Sequence, residues 1–239
     1  MKEDGIIAGI ALAEYIFQKI DPTANFDAIA KDGQWVTAGC IVFTVEGNTI
    51  KLLQSERLVL NYMQRLSGVA TKTHQMVQRI THTSSRLLDT RKTTPGLRVL
   101  EKWAVRLGGG YNHRMGLHDM VILKDNHIDF AGGIGPAVAK VRQYLKEQQK
   151  ELAVEVETRN IQEVKEALTV QVNRIMLDNF DISATKEAIA LIGGRCEVES
   201  SGGITEHTLV SFAECGVDYI SVGALTHHIK ALDMSLKAY

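Results

Sequence analysis

Asp89-Thr90-Arg91-Lys92-Thr93-Thr94-Pro95-Gly96-Leu97-Arg98 concentrates cations in one short stretch, and His113-Arg114 and Lys124-Asp125-Asn126-His127 add more. The chain of 239 residues carries a formal net charge of −1. A chain so near neutrality has no general attraction for nucleic acid, so a local cationic cluster suits a small, highly charged anion. Arginine offers carboxylate or phosphate a planar two-pronged fork, and lysine adds a compact point charge. Glu157 and Asp178 supply the opposite sign. Two carboxylates facing such a wall can hold sugar hydroxyls, a Mg²⁺ ion or a developing positive charge. Taken singly, Asp178 before Asn179 also reads as a helix cap.

These residues need a frame. After Ser84, strands and helices alternate, with strands predicted at Arg86–Asp89, Met120–Leu123, Leu152–Val156, Arg174–Leu177, Cys196–Glu199 and Tyr219–Val222. Helical patterns lie between them, at Gly135–Glu147, Ile161–Val170 and Ala184–Ile192. The strands are short and apolar without polar alternation, as expected of parallel strands buried on both faces. A seventh strand is expected near Gly108–Asn112. The repetition is βα, so the choice lies between an open doubly wound sheet and a closed barrel. A polar residue at the end of every strand favours a barrel or near-barrel. Upstream, a helix is predicted from Ala8 to Ile20, a strand from Trp35 to Val45, a short strand from Thr49 to Leu53 and, after Ser55 as cap, a long helix from Glu56 to Ile80.

In a βα barrel the C-terminal strand ends converge on one mouth. Here they carry Thr90-Arg91-Lys92, Lys124 to His127, Glu157, Asp178-Asn179, Ser200 to Gly203, and Gly223-Ala224. Ser201-Gly202-Gly203 and Gly223-Ala224 offer bare backbone N–H groups before a helix, a phosphate-binding device in late barrel loops, or they simply turn the chain. Lys124 is either a Schiff-base lysine or part of an anion clamp with Arg91 and Arg114. The neighbouring Asp125 favours the clamp.

Composition narrows the class further. The chain is 45% hydrophobic and 23% charged, ordinary for a soluble globular protein, and no apolar run is long enough to span a membrane. Cys40, Cys196 and Cys215 form no CxxC pair and read as reduced, buried thiols of a cytoplasmic protein. The apolar stretch Gly5–Ala13 lacks the cationic start of a secretion signal and reads as part of an amphipathic helix. Gly133-Ile134-Gly135 precedes a helix, but Val138 stands where a dinucleotide fingerprint needs its third glycine. The eight histidines show no zinc spacing.

Taken together, Asp89 to Arg98, Gly109-Gly110-Tyr111-Asn112-His113-Arg114 and Ile122 to Ile128 resemble quinolinate phosphoribosyltransferase. Glu56-Arg57, Glu155-Val156-Glu157, Leu177-Asp178-Asn179, Glu199 to Ile204 and Val222 to His227 extend the resemblance over almost the whole chain. It implies an α/β fold: an incomplete (β/α) barrel with a small N-terminal α/β sandwich domain. The expected division is 1–68 for the sandwich, 69–225 for the catalytic barrel and 226–239 for a C-terminal helix packing back on the first domain. Family members usually begin further upstream, so the sandwich is expected to lack its usual first segment.

The resemblance also implies a reaction. Phosphoribosyl pyrophosphate and quinolinate give nicotinate mononucleotide, pyrophosphate and CO₂ on the de novo route to NAD. By resemblance, Arg91, His113, Arg114 and Lys124 contact the ring carboxylates, and Lys92 lies near the pyrophosphate or the second carboxylate. Glu157 and Asp178 hold ribose hydroxyls and the Mg²⁺ that accompanies the substrate, with Lys124, Glu157 and Asp178 as the catalytic set. Ser201, Gly202, Gly203, Gly223 and Ala224 bind the 5-phosphate. Arg57 reaches the neighbouring site of a homodimer, which in turn can build a hexamer. Three readings compete: a molybdenum-operon paralogue of the same fold, a Schiff-base barrel lyase using Lys124, and a binding protein without turnover.

Overall fold

The computed structural model describes residues 1–239. In chain order the elements are β1 (Gly5–Ile6), α1 (Ile10–Ile20), β2 (Asn25–Ala28), β3 (Trp35–Val36), β4 (Phe43–Glu46), α2 (Thr49–Arg79), β5 (Arg86–Leu88), α3 (Arg98–Leu107), β6 (Val121–Leu123), α4 (Asp125–Ala131) and α5 (Ile134–Glu147). They continue with β7 (Val154–Thr158), α6 (Ile161–Thr169), β8 (Arg174–Asp178), α7 (Ile182–Ile192), β9 (Glu197–Ser201), α8 (Leu209–Ala213), β10 (Tyr219–Ser221) and α9 (Ala224–His227). Two compact units result, and neither is continuous in sequence. The first takes Met1–Val77, Lys92–Tyr111 and Ala224–Tyr239, and the second takes Gln78–Arg91 and Asn112–Gly223. These compact units cut across the division expected at 68 and 225, because residues 92–111 group with the first unit.

The first unit has two small antiparallel sheets, β1 with β3 and β2 with β4. Its core joins Ile7, Phe17, Phe43, Val59, Met63 and Met234, with Phe26 stacked on Phe43 at a 4.7 Å centroid separation. Gly9 precedes α1 and offers no capping side chain, so the Asp32 carboxylate takes over. It accepts the N–H groups of Gly9, Ile10 and Ala11 at 2.6, 2.9 and 3.1 Å, satisfying donors that a helix start leaves orphaned. Gly108 and Gly110 pass so close to α2 that a Cβ on either would lie within 2.8 Å of Thr73 side-chain atoms. This close passage is why the seventh strand expected at 108–112 is a loop.

Three further expectations change in this unit. The strand predicted at Thr49–Leu53 forms the first turns of α2, because Asn48 caps the helix. Its Oδ1 accepts the N–H groups of Ile50 and Lys51 at 3.1 and 3.3 Å. Ser55, expected as the cap, instead bonds back to the Lys51 and Leu52 carbonyls. The strand predicted at Trp35–Val45 divides into β3 and β4, with Gly39 at φ 88° in the turn between them. The expected C-terminal helix ends at His227. Beyond it the chain lies along α2: Leu232 N–H donates to the Gln64 carbonyl at 2.9 Å, and the Gln64 amide donates to the Met234 carbonyl at 3.0 Å. Gly68 gives the clearance, since a side chain there would collide with Ile229 and Lys230.

The second unit is a six-stranded parallel sheet in the order β5-β10-β9-β8-β7-β6, with β5 and β6 as its unpaired edges. It is the sheet of an incomplete barrel. All six strands fall where the apolar runs predicted them, each shifted by at most a few residues. Fully buried Val156, Ile175 and Ile220 lie on one side of the pleat. The other side carries polar groups, and these build the site.

Candidate active site

Strand register brings the chemistry together. Side chains two apart on a strand share a face, and residues paired across parallel strands point the same way. Glu157 pairs with Met176, Met176 with Glu199, and Asp178 with Ser201. One face therefore carries Glu155 and Glu157 on β7, Arg174, Met176 and Asp178 on β8, and Glu197, Glu199 and Ser201 on β9. Lys124 immediately follows β6, one step beyond the Leu123–Val156 pair, and so stands level with Glu157.

The upper part of this face holds the predicted catalytic carboxylates. Lys124 Nζ donates to Glu157 Oε2 in a short ion pair. Glu157 is only 7% exposed, whereas the Lys124 side chain is half exposed. That is how a cation is held against a carboxylate, not how a desolvated amine nucleophile is prepared, and it weighs against the Schiff-base reading. Asp178 is half-buried, and its Oδ2 accepts from Asn179 Nδ2 at 2.7 Å. Beside it, Gly202 at φ 93° and Gly203 at φ 59° place two consecutive residues in the left-handed region, where glycine pays no Cβ penalty. The helix expected directly after them begins only at Leu209, so this loop presents its backbone without a following helix end. Gly223-Ala224 does run straight into a helix, although α9 is a single turn.

The cationic side is uneven. Arg114 is 9% exposed and donates to the Met120 carbonyl at 3.2 Å. Burial and then the nearby Arg91 guanidinium push it below the usual arginine range. A buried guanidinium with an exposed one beside it is a place where an anion binds favourably.

His113 turns the other way. Its backbone N–H donates to Asp89 Oδ1 at 2.8 Å, and its Nε2 lies 3.3 Å from both Glu155 Oε2 and Glu199 Oε2. Burial works against the imidazolium, but the two carboxylates outweigh it and raise the ring to about 9. The Arg114 N–H, 2.7 Å from Nδ1, competes for that position. The carboxylates prevail, because leaving buried anions uncompensated costs more than one backbone contact. Burial and then Glu199 raise Glu155. Glu199 is pulled down despite its burial, first by His113, then by Ser221 and Arg174. Arg174 Nη1 reaches Glu199 Oε2 at 3.1 Å, and its guanidinium stacks 3.9 Å over the Tyr219 ring. His113, Glu155 and Glu199 are also the one group of three potential metal ligands, with Glu157 and Asp178 outside it.

Glu155, Glu199, Arg174 and Asp89 were not singled out from the sequence. The signal was present: Glu155-Val156-Glu157 and Glu199-Ser200-Ser201 alternate with period two, so the inner residue of each shares the face of the outer one. Of the remaining predicted residues, Lys92 and Arg57 are exposed and belong to the first unit. The Lys92 carbonyl accepts from Thr226 Oγ1 at 2.8 Å. Another missed pair holds the following loop: buried Glu101 accepts from Arg65 Nε at 2.9 Å and from Thr94 N–H at 3.1 Å, while Arg65 Nη2 reaches Thr94 Oγ1 at 3.0 Å.

A parallel βα sheet with guanidinium groups, a Lys–Glu pair and an aspartate gathered past its strand ends is the architecture of an α/β-barrel enzyme acting on anionic substrates. Residues 1–67 match the quinolinate phosphoribosyl transferase N-terminal domain, and residues 69–237 match the C-terminal domain of the same family. Quinolinate phosphoribosyltransferase [decarboxylating] 2b, mitochondrial, of Nicotiana tabacum is 50% identical over 251 residues, covering 99% of this chain and 71% of the relative. The probable nicotinate-nucleotide pyrophosphorylase [carboxylating] of Synechocystis is 48% identical, covering 99% and 80%. The crystal structure of NadC from Streptococcus pyogenes superposes with a TM-score of 0.94 at 41% identity, covering 99% of this chain and 83% of that one. The chain belongs to the quinolinate phosphoribosyltransferase family.

Proposed function

We propose that this protein transfers the phosphoribosyl group of phosphoribosyl pyrophosphate to quinolinate and decarboxylates the product, yielding nicotinate mononucleotide, pyrophosphate and CO₂. The observation that carries the reading is the Arg91–Arg114 guanidinium pair in the same unit as the Lys124–Glu157 and Asp178 carboxylate group. One half suits a dianionic ring, and the other suits a sugar that develops positive charge. Family membership supports the same substrates.

In this reading Arg91, Arg114 and Lys124 clamp the two adjacent ring carboxylates. Lys92, next in sequence to Arg91, meets the pyrophosphate or the second carboxylate. The ring nitrogen attacks C1 of the ribose while the bond from C1 to the pyrophosphate oxygen breaks. Glu157 and Asp178 stabilise the positive charge on the sugar ring. Glu157 and Asp178 would also hold the Mg²⁺ that accompanies phosphoribosyl pyrophosphate, an ion that would neutralise charge on the leaving pyrophosphate. Ser201, Gly202, Gly203, Gly223 and Ala224 offer N–H groups to the 5-phosphate. The bond from C2 to its carboxylate then breaks, CO₂ leaves, and the electron pair remaining on C2 takes up a proton. His113 sits below the clamp, where its ring faces Glu155 and Glu199, and its part is to support Arg114.

We further propose a homodimer. Arg57 is exposed on α2 among exposed Ile50, Leu53 and Leu58, a mixture suited to a partner's surface and to delivering a cation into the partner's site. No helix is long and apolar enough to cross a membrane, and the three cysteines are unbridged, which supports a reducing compartment such as the cytoplasm. Incubation with quinolinate, phosphoribosyl pyrophosphate and Mg²⁺ tests the central reading. Nicotinate mononucleotide and CO₂ should appear in equal amounts, and a folded sample that makes neither would overturn it.

A further inference from the structure

Three residues other than glycine adopt positive φ: Gln149 at 52°, Gln171 at 53° and Asn179 at 57°. Gln149 and Gln171 directly follow the C-caps of α5 and α6, Gln148 and Val170, where a left-handed residue is a common way to stop a helix. Asn179 is different, because it follows a strand and precedes a helix. Its left-handed backbone has no such local explanation, and strain held against a residue's preference points toward function.

The contacts show what that conformation accomplishes. Asn179 N–H donates to the Ser201 carbonyl at 2.9 Å, tying the end of β8 to the start of the glycine loop. Its side-chain amide donates to Asp178 Oδ2 at 2.7 Å, which fixes one carboxylate oxygen and leaves the other for a ligand. On its far side it packs against Gly202. A Cβ there would fall 2.6 Å from Asn179 Cγ and 2.8 Å from its backbone nitrogen. Asparagine tolerates the left-handed region better than other residues with side chains. It combines that tolerance with an amide donor that glycine lacks.

We propose that Asn179 is a positioning residue that sets the Asp178 carboxylate and locks it in register with the Ser201-Gly202-Gly203 loop, so that ribose and 5-phosphate are bound as one rigid piece. The inference rests on the function proposed above. It predicts that Asn179→Gly folds normally, since glycine relieves the backbone, yet loses roughly ten-fold in kcat, as expected when a charge-assisted hydrogen bond is removed. The KM for phosphoribosyl pyrophosphate should rise and that for quinolinate should stay unchanged. Asn179→Asp keeps the shape and the tolerance for positive φ but swaps the donor for a like charge, and should lose more.

The deciding measurement is a double-mutant cycle. In an Asp178→Ala background, Asn179→Gly should cost nothing further. A variant as active as the wild type, or a loss that persists undiminished without Asp178, would sink the proposal. Wild-type turnover tests the parent reading, whereas only the ratio of variant to wild type tests Asn179. Calorimetric binding of magnesium phosphoribosyl pyrophosphate gives that ratio without turnover, with weaker binding by Asn179→Gly expected and equal binding contradicting the proposal.

Discussion

Two layers of charge lie on the same face of the sheet, one gathered around His113 and one around Lys124. In the lower layer Glu155, Glu199, Arg174 and His113 are buried and answer one another: carboxylates face the imidazole, and the guanidinium reaches Glu199. In the upper layer Lys124 is exposed, Asp178 is half-buried, Glu157 is buried with Lys124 as its partner, and Arg114 has Arg91 for a neighbour, so their charges are answered only in part from within. The lower layer is built to be complete and the upper one to be completed by substrate. The partners a group already has, not its residue type, separate structure from chemistry.

The widest gap between the layers should appear in stability. Glu199→Ala takes a buried carboxylate from both Arg174 and His113 and should cost about 3–5 kcal/mol in chemical denaturation, whereas Glu157→Gln, whose partner Lys124 is half exposed and can turn to water, should cost about 1 kcal/mol. Similar losses would erase the distinction. In activity the order reverses, and Glu157→Gln in a folded enzyme should lower kcat by about 10²–10³-fold in a steady-state assay of nicotinate mononucleotide. Within the upper layer, Arg114→Ala should weaken quinolinate binding by roughly 10–100-fold and phosphoribosyl pyrophosphate binding far less. Calorimetry with each ligand would show equal losses if the clamp is misassigned.

The smallest effect is in pH dependence. The His113 ring is raised from an ordinary 6.5 to about 9 by its carboxylates. The stability it contributes is therefore complete below pH 6.5 and declines as pH rises through about 9. Denaturation midpoints that stay flat between these values would place the ring outside the buried network.

Much of this frame was legible in the residues. The six parallel strands were visible because buried parallel strands are short apolar runs, and Glu157 and Asp178 because they end them. Thr49–Leu53 was not, since five residues of mixed polarity suit a strand or a helix equally and the Asn48 cap decides. Glu155 and Glu199 are harder to see because an apolar run marks a buried strand and says nothing of a carboxylate inside it. The inward turn of His113 depends on Asp89 holding its backbone, a contact between residues 24 apart, and no local pattern encodes it.

The long reach of the first unit's core has a consequence for the protein's birth. Met234 is part of the same core as Ile7, so a ribosome emitting the chain in order holds this early core open until Met234 has emerged. Such long-range closure is intrinsically slow.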